Sequence, residues 1–181
     1  MLTALTSMFL HAGFWHIAGN LWFLYMFGRR VERSLGTPLF ILLYLASGLA
    51  GTALHFALNR TSAIPCVGAS GAISGILGCF FVLFPNASFD LEIYFGWWRL
   101  KRIRSNTLAA VGAWLVEQIL LGLLSQAGLF ATVAFWAHVG GFVLGVLSAL
   151  ILKSLIAGEA AKPFTGRAVM SKSDLARLDL R

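Results

Sequence analysis

Ser70 stands between glycines, in Gly68-Ala69-Ser70-Gly71, where a short polar loop gives way to a charge-free run from Ala72 to Phe84. A serine at such a boundary is either a helix cap, satisfying an amide of the first turn, or a nucleophile. As a nucleophile it needs a base, and a neutral imidazole within hydrogen-bond reach supplies one. His138, in Ala137-His138-x-Gly140-Gly141-x-x-x-Gly145, is the histidine carried on a small-residue face suited to meeting it. Such a pair performs acyl transfer, which also needs donors aimed at the developing oxyanion. Asn20 offers a side-chain amide, His16 a ring N–H one helical turn earlier, and Ser70 its own backbone amide at a helix start. No Asp or Glu is well placed as a third member, so a Ser–His dyad is the economical assignment.

These residues must be positioned by membrane helices. The chain has 181 residues, 59% hydrophobic and only 12% charged, too apolar for a soluble domain of this length. Apolar runs extend from Phe14 to Phe27, Pro38 to Leu58, Gly68 to Phe84, Asn106 to Ser125 and Phe130 to Leu152. The expected fold is therefore an all-α, polytopic helical bundle with five transmembrane helices. Residues 1–156 form the membrane domain, and 157–181 form a polar cytoplasmic tail that is expected to be mobile. Between the third and fourth runs, Trp97 and Trp98 precede Arg99, Lys101, Arg102 and Arg104, the pattern of a membrane interface on the cytoplasmic side.

Charge orients the bundle. If the first span runs from outside to inside, segments 28–36, 85–105 and 153–181 are internal and hold thirteen of the fourteen Lys and Arg; only Arg60 falls outside. This bias accounts for the net charge of +7, so nucleic-acid binding is set aside. The same topology puts His16, Asn20, Ser70 and His138 in one outer-leaflet layer, with His138 about two turns below the start of its span. Gly71, Gly75 and Gly78 recur on one helical face, as do His138, Gly141 and Gly145. Small residues at such spacings let two helices approach closely, bringing Ser70 to His138.

His16-x-x-x-Asn20, Gly68-x-Ser70-Gly71 and Ala137-His138-x-Gly140-Gly141-x-x-x-Gly145 resemble the motifs of rhomboid intramembrane serine proteases, of the bacterial type. Thr6-x-x-Phe9-x-His11 and Gly28-Arg29-Arg30-x-Glu32-x-x-x-Gly36 are similar to the family pattern too, and the likeness runs from about Leu2 to Leu152. It implies an integral protein of a bacterial cytoplasmic membrane that cuts transmembrane segments of other proteins near the outer face. It implies Ser70 as nucleophile, His138 as general base, and His16, Asn20 and the Ser70 amide as the oxyanion site. Gly68, Gly71, Gly141 and Gly145 would shape that site. The family core normally has six spans, and this sequence starts within the loop that follows the first. Some members carry an aromatic residue one turn below the nucleophile, where this chain has Ser74.

The remaining candidates read more plainly. His11 is a loop residue, His55 an interfacial one, and Glu117 a packing or network acid within its span. Trp22, Phe23, Tyr25 and Phe27 face lipid or pack. Cys66 and Cys79 have no metal-type spacing and, if both lie on one helix, sit about 20 Å apart, too far for a disulfide. No metal or other cofactor is implied. The partners are the lipid bilayer and transmembrane protein substrates, and nothing in the sequence speaks to oligomeric state. A second function class is a proteolytically silent adaptor or quality-control protein that binds transmembrane clients; the presence of both Ser70 and His138 favours the enzyme.

Overall fold

The structure, a computed structural model, describes residues 2–60, 66–95, 98–129, 133–160 and 165–166. A short helix α1 (Leu2–Ser7) precedes α2 (Phe14–Phe23), which runs through a π turn at Leu24–Gly28 into α3 (Arg29–Leu35). Then come α4 (Thr37–Leu58), α5 (Ser70–Leu83), the strands β1 (Ser88–Phe95) and β2 (Trp98–Asn106), α6 (Thr107–Gln126), α7 (Phe135–Ala160) and a two-residue β3 (Thr165–Gly166). Each of the five expected spans overlaps a helix, although α5 begins at Ser70 rather than Gly68 and α7 at Phe135 rather than Phe130, with residues 130–132 outside the described residues. Among the described residues, Thr37–Leu58, Thr107–Gln126 and Phe135–Lys153 are long and apolar enough to cross a membrane, and Ser70–Leu83 is a shorter apolar helix. The segments 161–164 and 167–181 of the expected tail lie outside the described residues.

The helical membrane bundle is thus present, with one departure from an all-α reading. The Trp- and Arg-rich segment is a hairpin: β1 pairs antiparallel with β2, Ser88 opposite Asn106 and Leu91 opposite Ile103, and β3 joins β1 in parallel. Its base is closed at buried Thr107, whose amide and hydroxyl both donate to the Ala87 carbonyl, at 2.9 and 3.2 Å. Asn106 then caps α6, its Oδ1 accepting from the Ala109 amide at 2.9 Å. The charged turn after the first helix is equally well defined. Gly36 adopts φ 76°, a conformation a side chain would strain, and lets α3 end and α4 begin in one step. Thr37 Oγ1 donates to Glu32 Oε1 there, and the Arg30 guanidinium lies over the Phe84 ring.

α5 is the axis of the bundle. Eleven of its fourteen residues are buried, including Ile76, Cys79 and Phe80. A helix apolar on all sides belongs at the centre of its fold. Phe27 stacks edge-on to Phe80, while α4 and α7 pack along the other sides. Exposed Trp22, Tyr25, Val116, Leu120, Leu147 and Ile151 point outward, as a lipid-facing surface requires. Phe27 instead is buried in the core.

What lets α7 approach α5 so closely is the absence of side chains. A Cβ on Gly141 would meet the Gly71 carbonyl, one on Gly145 the Gly75 carbonyl, and one on Gly78 the Phe142 carbonyl. At the α4–α7 crossing, Gly51 faces the Ala137 carbonyl and Gly140 faces Gly51. Lipid provides no hydrophobic drive for helix pairing, so this backbone-level packing is the principal source of association. We expect Gly145→Ala to destabilise the bundle by about 2 kcal/mol or more, since the obstructing atoms are backbone. Gly112→Ala, whose new methyl meets open space, should be neutral or stabilise by up to about 1 kcal/mol. Denaturation of both variants in detergent micelles measures the difference, and equal stabilities would contradict this account of the crossing.

Candidate active site

Ser70 opens α5, with Ala69 as the N-cap residue and no side-chain capping bond at that end. The cap reading of Ser70 therefore fails: its hydroxyl is engaged elsewhere. Ser70 Oγ lies 2.8 Å from His138 Nε2. His138 is in the first turn of α7, because that helix begins at Phe135. This corrects the expected depth of two turns; residues 130–132 lie outside the described residues. The two side chains thus leave the first turns of two helices whose backbones touch at Gly71 and Gly141. Their separation is set by main chain rather than by flexible side chains.

α5 is short for a spanning helix. Fourteen residues make α5 about 21 Å long, against a hydrocarbon core about 30 Å thick. A helix of that length, standing upright, is about 9 Å short of spanning that core. A cavity of about 650 Å³ opens at its Ser70 end, lined by His16, Asn20, Cys66, Ser70, Trp114 and His138 among others.

His16 and Asn20 face this cavity from α2, one turn apart. The Ala12 amide donates to His16 Nδ1 at 3.4 Å, which leaves Nε2 to carry the ring proton. The Asn20 side-chain nitrogen is buried with no hydrogen-bond partner, unusual enough for a buried amide to call for an explanation. Neither residue bonds to Ser70 or His138 among the interactions described; the four share the cavity wall. Gly68 keeps that wall open. Its φ of 117° excludes a side chain, and a Cβ there would stand 2.8 Å from His16 Nε2 and 3.6 Å from Asn20 Nδ2. The Gly68 amide donates to the Ser7 carbonyl at 2.9 Å, tying the loop before Ser70 to α1.

Two residues beside His138, Gln118 and Trp114, belong to no motif in the sequence. Gln118 Oε1 lies 2.6 Å from His138 Nδ1. The Trp114 ring, one turn earlier on α6, is tilted 33° to the imidazole with centroids 6.2 Å apart. Glu117, the acid expected to pack or to join a network, is instead exposed. The available signal was an uncharged amide one turn from a tryptophan in an apolar helix. Ser74 also resolves: its hydroxyl donates to the Ser70 carbonyl at 2.7 Å and stays within the helix, so Trp114 is the aromatic beside the imidazole. His11 packs edge-on against His16 at 5.2 Å, giving it a structural place next to the cavity. Cys66 lies in the loop ahead of α5, not on the helix with Cys79, and both thiols are free. No cluster of three metal-ligating side chains exists among the described residues.

Residues 1–155 match the family model described as "Rhomboid domain". The chain belongs to the rhomboid family. It is 31% identical over 152 residues to "Rhomboid protein 1, mitochondrial" of Saccharomyces cerevisiae, covering 81% of this chain and 40% of that protein. It is 34% identical over 149 residues to "RHOMBOID-like protein 4" of Arabidopsis thaliana, covering 82% of this chain and 33% of that one. A shorter stretch of 74 residues is 45% identical to "Rhomboid protease GluP" of Bacillus subtilis, covering 41% of this chain and 14% of that one. The rhomboid chain described here therefore spans well under half the length of these relatives. Membership agrees with a polytopic helical protein integral to a membrane, and the family includes serine proteases.

The geometry makes two features measurable. Gly68→Ala should push the His16 ring away from the loop and lower the unfolding free energy by about 1–3 kcal/mol; an unmoved His16 NMR signal with unchanged stability would contradict the cradle. Burial pushes the Cys66 thiol up, partly offset by a hydrogen bond with Thr52. Maleimide alkylation of Cys66 should therefore be slow at neutral pH and rise through a higher pH than for free cysteine. Alkylation as fast as that of the free amino acid would mean the cavity wall is open at that point.

Proposed function

We propose that this rhomboid chain is an intramembrane serine endopeptidase of bacterial type, cutting transmembrane segments near the outer face of a cytoplasmic membrane. Ser70 is the nucleophile and His138 its general base. The observation that carries this reading is the 2.8 Å contact between Ser70 Oγ and His138 Nε2 at the mouth of a cavity. Helix capping does not account for the serine, and packing alone does not account for a histidine aimed at its hydroxyl.

The chemistry follows from that contact. His138 Nε2 takes the hydroxyl proton as Ser70 Oγ bonds to the substrate carbonyl carbon, giving a tetrahedral oxyanion. The Asn20 side-chain amide, the His16 Nε2–H and the Ser70 backbone amide stabilise it; the unpartnered Asn20 nitrogen supports this role. The imidazolium then protonates the departing amide nitrogen, leaving an acyl-enzyme. Water arriving through the cavity gives its proton to His138 and releases the second product. A spanning substrate must unwind first, because its backbone bonds are satisfied internally. Substrates with Gly, Pro or other weak helix formers near the outer interface are preferred, since those residues hold helices less tightly. Gly68, Gly71, Gly141 and Gly145 act by keeping the two helices and the donors at working distance.

Cleavage of a helix-weakened transmembrane substrate in proteoliposomes tests this. Ser70→Ala and His138→Ala should abolish it. Asn20→Ala should lower kcat about 100- to 1000-fold, the usual effect of losing one oxyanion donor. A chain that binds such substrates, cuts none of them and leaves Ser70 unlabelled by a fluorophosphonate would instead be the silent adaptor.

A further inference from the structure

The proposed dyad leaves Gln118 without a function, and packing does not explain it. Gln118 is only 7% exposed in an apolar helix, where an amide is costly unless hydrogen-bonded. α6 has just four buried residues, Thr107, Val111, Gln118 and Gly122, so this amide sits on the narrow stripe facing the bundle. Its Oε1 is 2.6 Å from His138 Nδ1, on the opposite side of the ring from Ser70. Trp114, four residues earlier on the same face, stands beside the imidazole at 6.2 Å. One helix therefore supplies both an in-plane partner and an aromatic neighbour to the histidine.

We propose that Gln118 is a positioning residue that holds His138 in the tautomer protonated at Nδ1; this rests on the Ser70–His138 reading. A neutral imidazole carries one ring proton, and the hydrogen bond at one nitrogen decides what the other can do. With Oε1 toward the ring, Nδ1–H donates to Gln118, and the Nε2 lone pair faces Ser70 Oγ–H. With the amide reversed, its NH₂ would donate to Nδ1 and force the proton onto Nε2, so the ring could only donate to Ser70. That state cannot accept the serine proton. When Nε2 takes the proton and Oγ bonds to the carbonyl carbon, Nδ1–H becomes part of an imidazolium and its bond to Oε1 strengthens. The proton on Nε2 then passes to the leaving nitrogen, and Nδ1–H stays where it began. Gln118 does for orientation what a carboxylate does in a Ser–His–Asp triad, without a buried charge in the membrane.

The test uses the full chain in detergent with ¹⁵N-labelled histidine, reading the His138 ring nitrogens alongside steady-state kinetics. Wild type should show Nδ1–H. Gln118→Met, close in volume but lacking the acceptor, should shift His138 toward Nε2–H. It should also lower kcat about 10- to 100-fold with KM nearly unchanged, a fraction of what a general base contributes. Gln118→Glu, which restores an acceptor, should restore the Nδ1–H tautomer and most of kcat. The proposal is overturned if wild type already holds Nε2–H, a result that needs no variant to fold. It is equally overturned if Gln118→Met keeps both the wild-type tautomer and kcat, or loses activity with the tautomer unchanged. A chain that cuts nothing refutes the protease reading alone, because the tautomer measurement does not depend on turnover.

Discussion

The contact between the backbones of α5 and α7 is the constraint from which the rest of the structure follows. In lipid, two apolar helices gain little from hiding apolar surface, so they associate through dispersion contacts that grow as the helices near each other. Gly78 on one helix and Gly141 and Gly145 on the other each lack a Cβ that would run into the backbone of the facing helix. Because the touching atoms are main chain, the approach cannot be adjusted by rotamer changes. The first turns of both helices inherit that rigidity. Ser70 and His138 extend from those turns, and their 2.8 Å contact is a consequence of the crossing rather than a separate feature. Gly51 and Gly140 extend the same principle to α4, fixing the third wall.

A second constraint is length. α5 is too short to reach both interfaces, and the cavity above its N-terminal end is where the polar groups gather. Each element around it is anchored by a bond of its own. The Gly68 amide is tied to Ser7, His16 to the Ala12 amide, Ser74 to the Ser70 carbonyl and His138 to Gln118. Of the buried side-chain atoms without a hydrogen-bond partner, which include His11 Nε2, Ser47 Oγ and His55 Nδ1, the Asn20 nitrogen belongs to a residue that lines this cavity. Membrane interiors penalise an unmatched donor heavily, and the proposed mechanism gives this one a partner in the substrate oxyanion. Rigid pre-positioning of this kind is what electrostatic stabilisation of an oxyanion requires, since donors already in place need no reorganisation during reaction.

Much was legible in the residues themselves. Apolar runs and small-residue faces each depend on a local pattern, and they survive into the structure as helices and as a close helix crossing. The pairing of Ser70 with His138 was readable because each follows or sits on a small-residue face at helical spacing. Three things were not. The segment before α6 reads as an interfacial stretch of aromatics and cations, yet it pairs with itself as a hairpin, and strand pairing is a non-local contact. The start of α7 lies later than its apolar run implies, because hydropathy does not mark where backbone hydrogen bonding begins. Ser70 could have capped its helix until its hydroxyl was found on the imidazole.

The sharpest division falls on α6. The sequence alone determined that this helix is apolar enough to span, and that it carries an acid, Glu117, and an amide, Gln118, side by side about one turn after Trp114. Adjacent helical residues point about 100° apart, so Glu117 and Gln118 cannot both face His138. A helix whose apolar residues are spread over much of its circumference gives little indication of which face turns inward. Packing against α7 decided it, directing Trp114 and Gln118 at the imidazole and leaving Glu117 exposed. Composition and periodicity are properties of one segment, whereas the rotation of a helix about its own axis is settled by its neighbours. The sequence therefore determined the helical membrane architecture and singled out Ser70 and His138, and the tertiary structure alone decided what contacts the histidine.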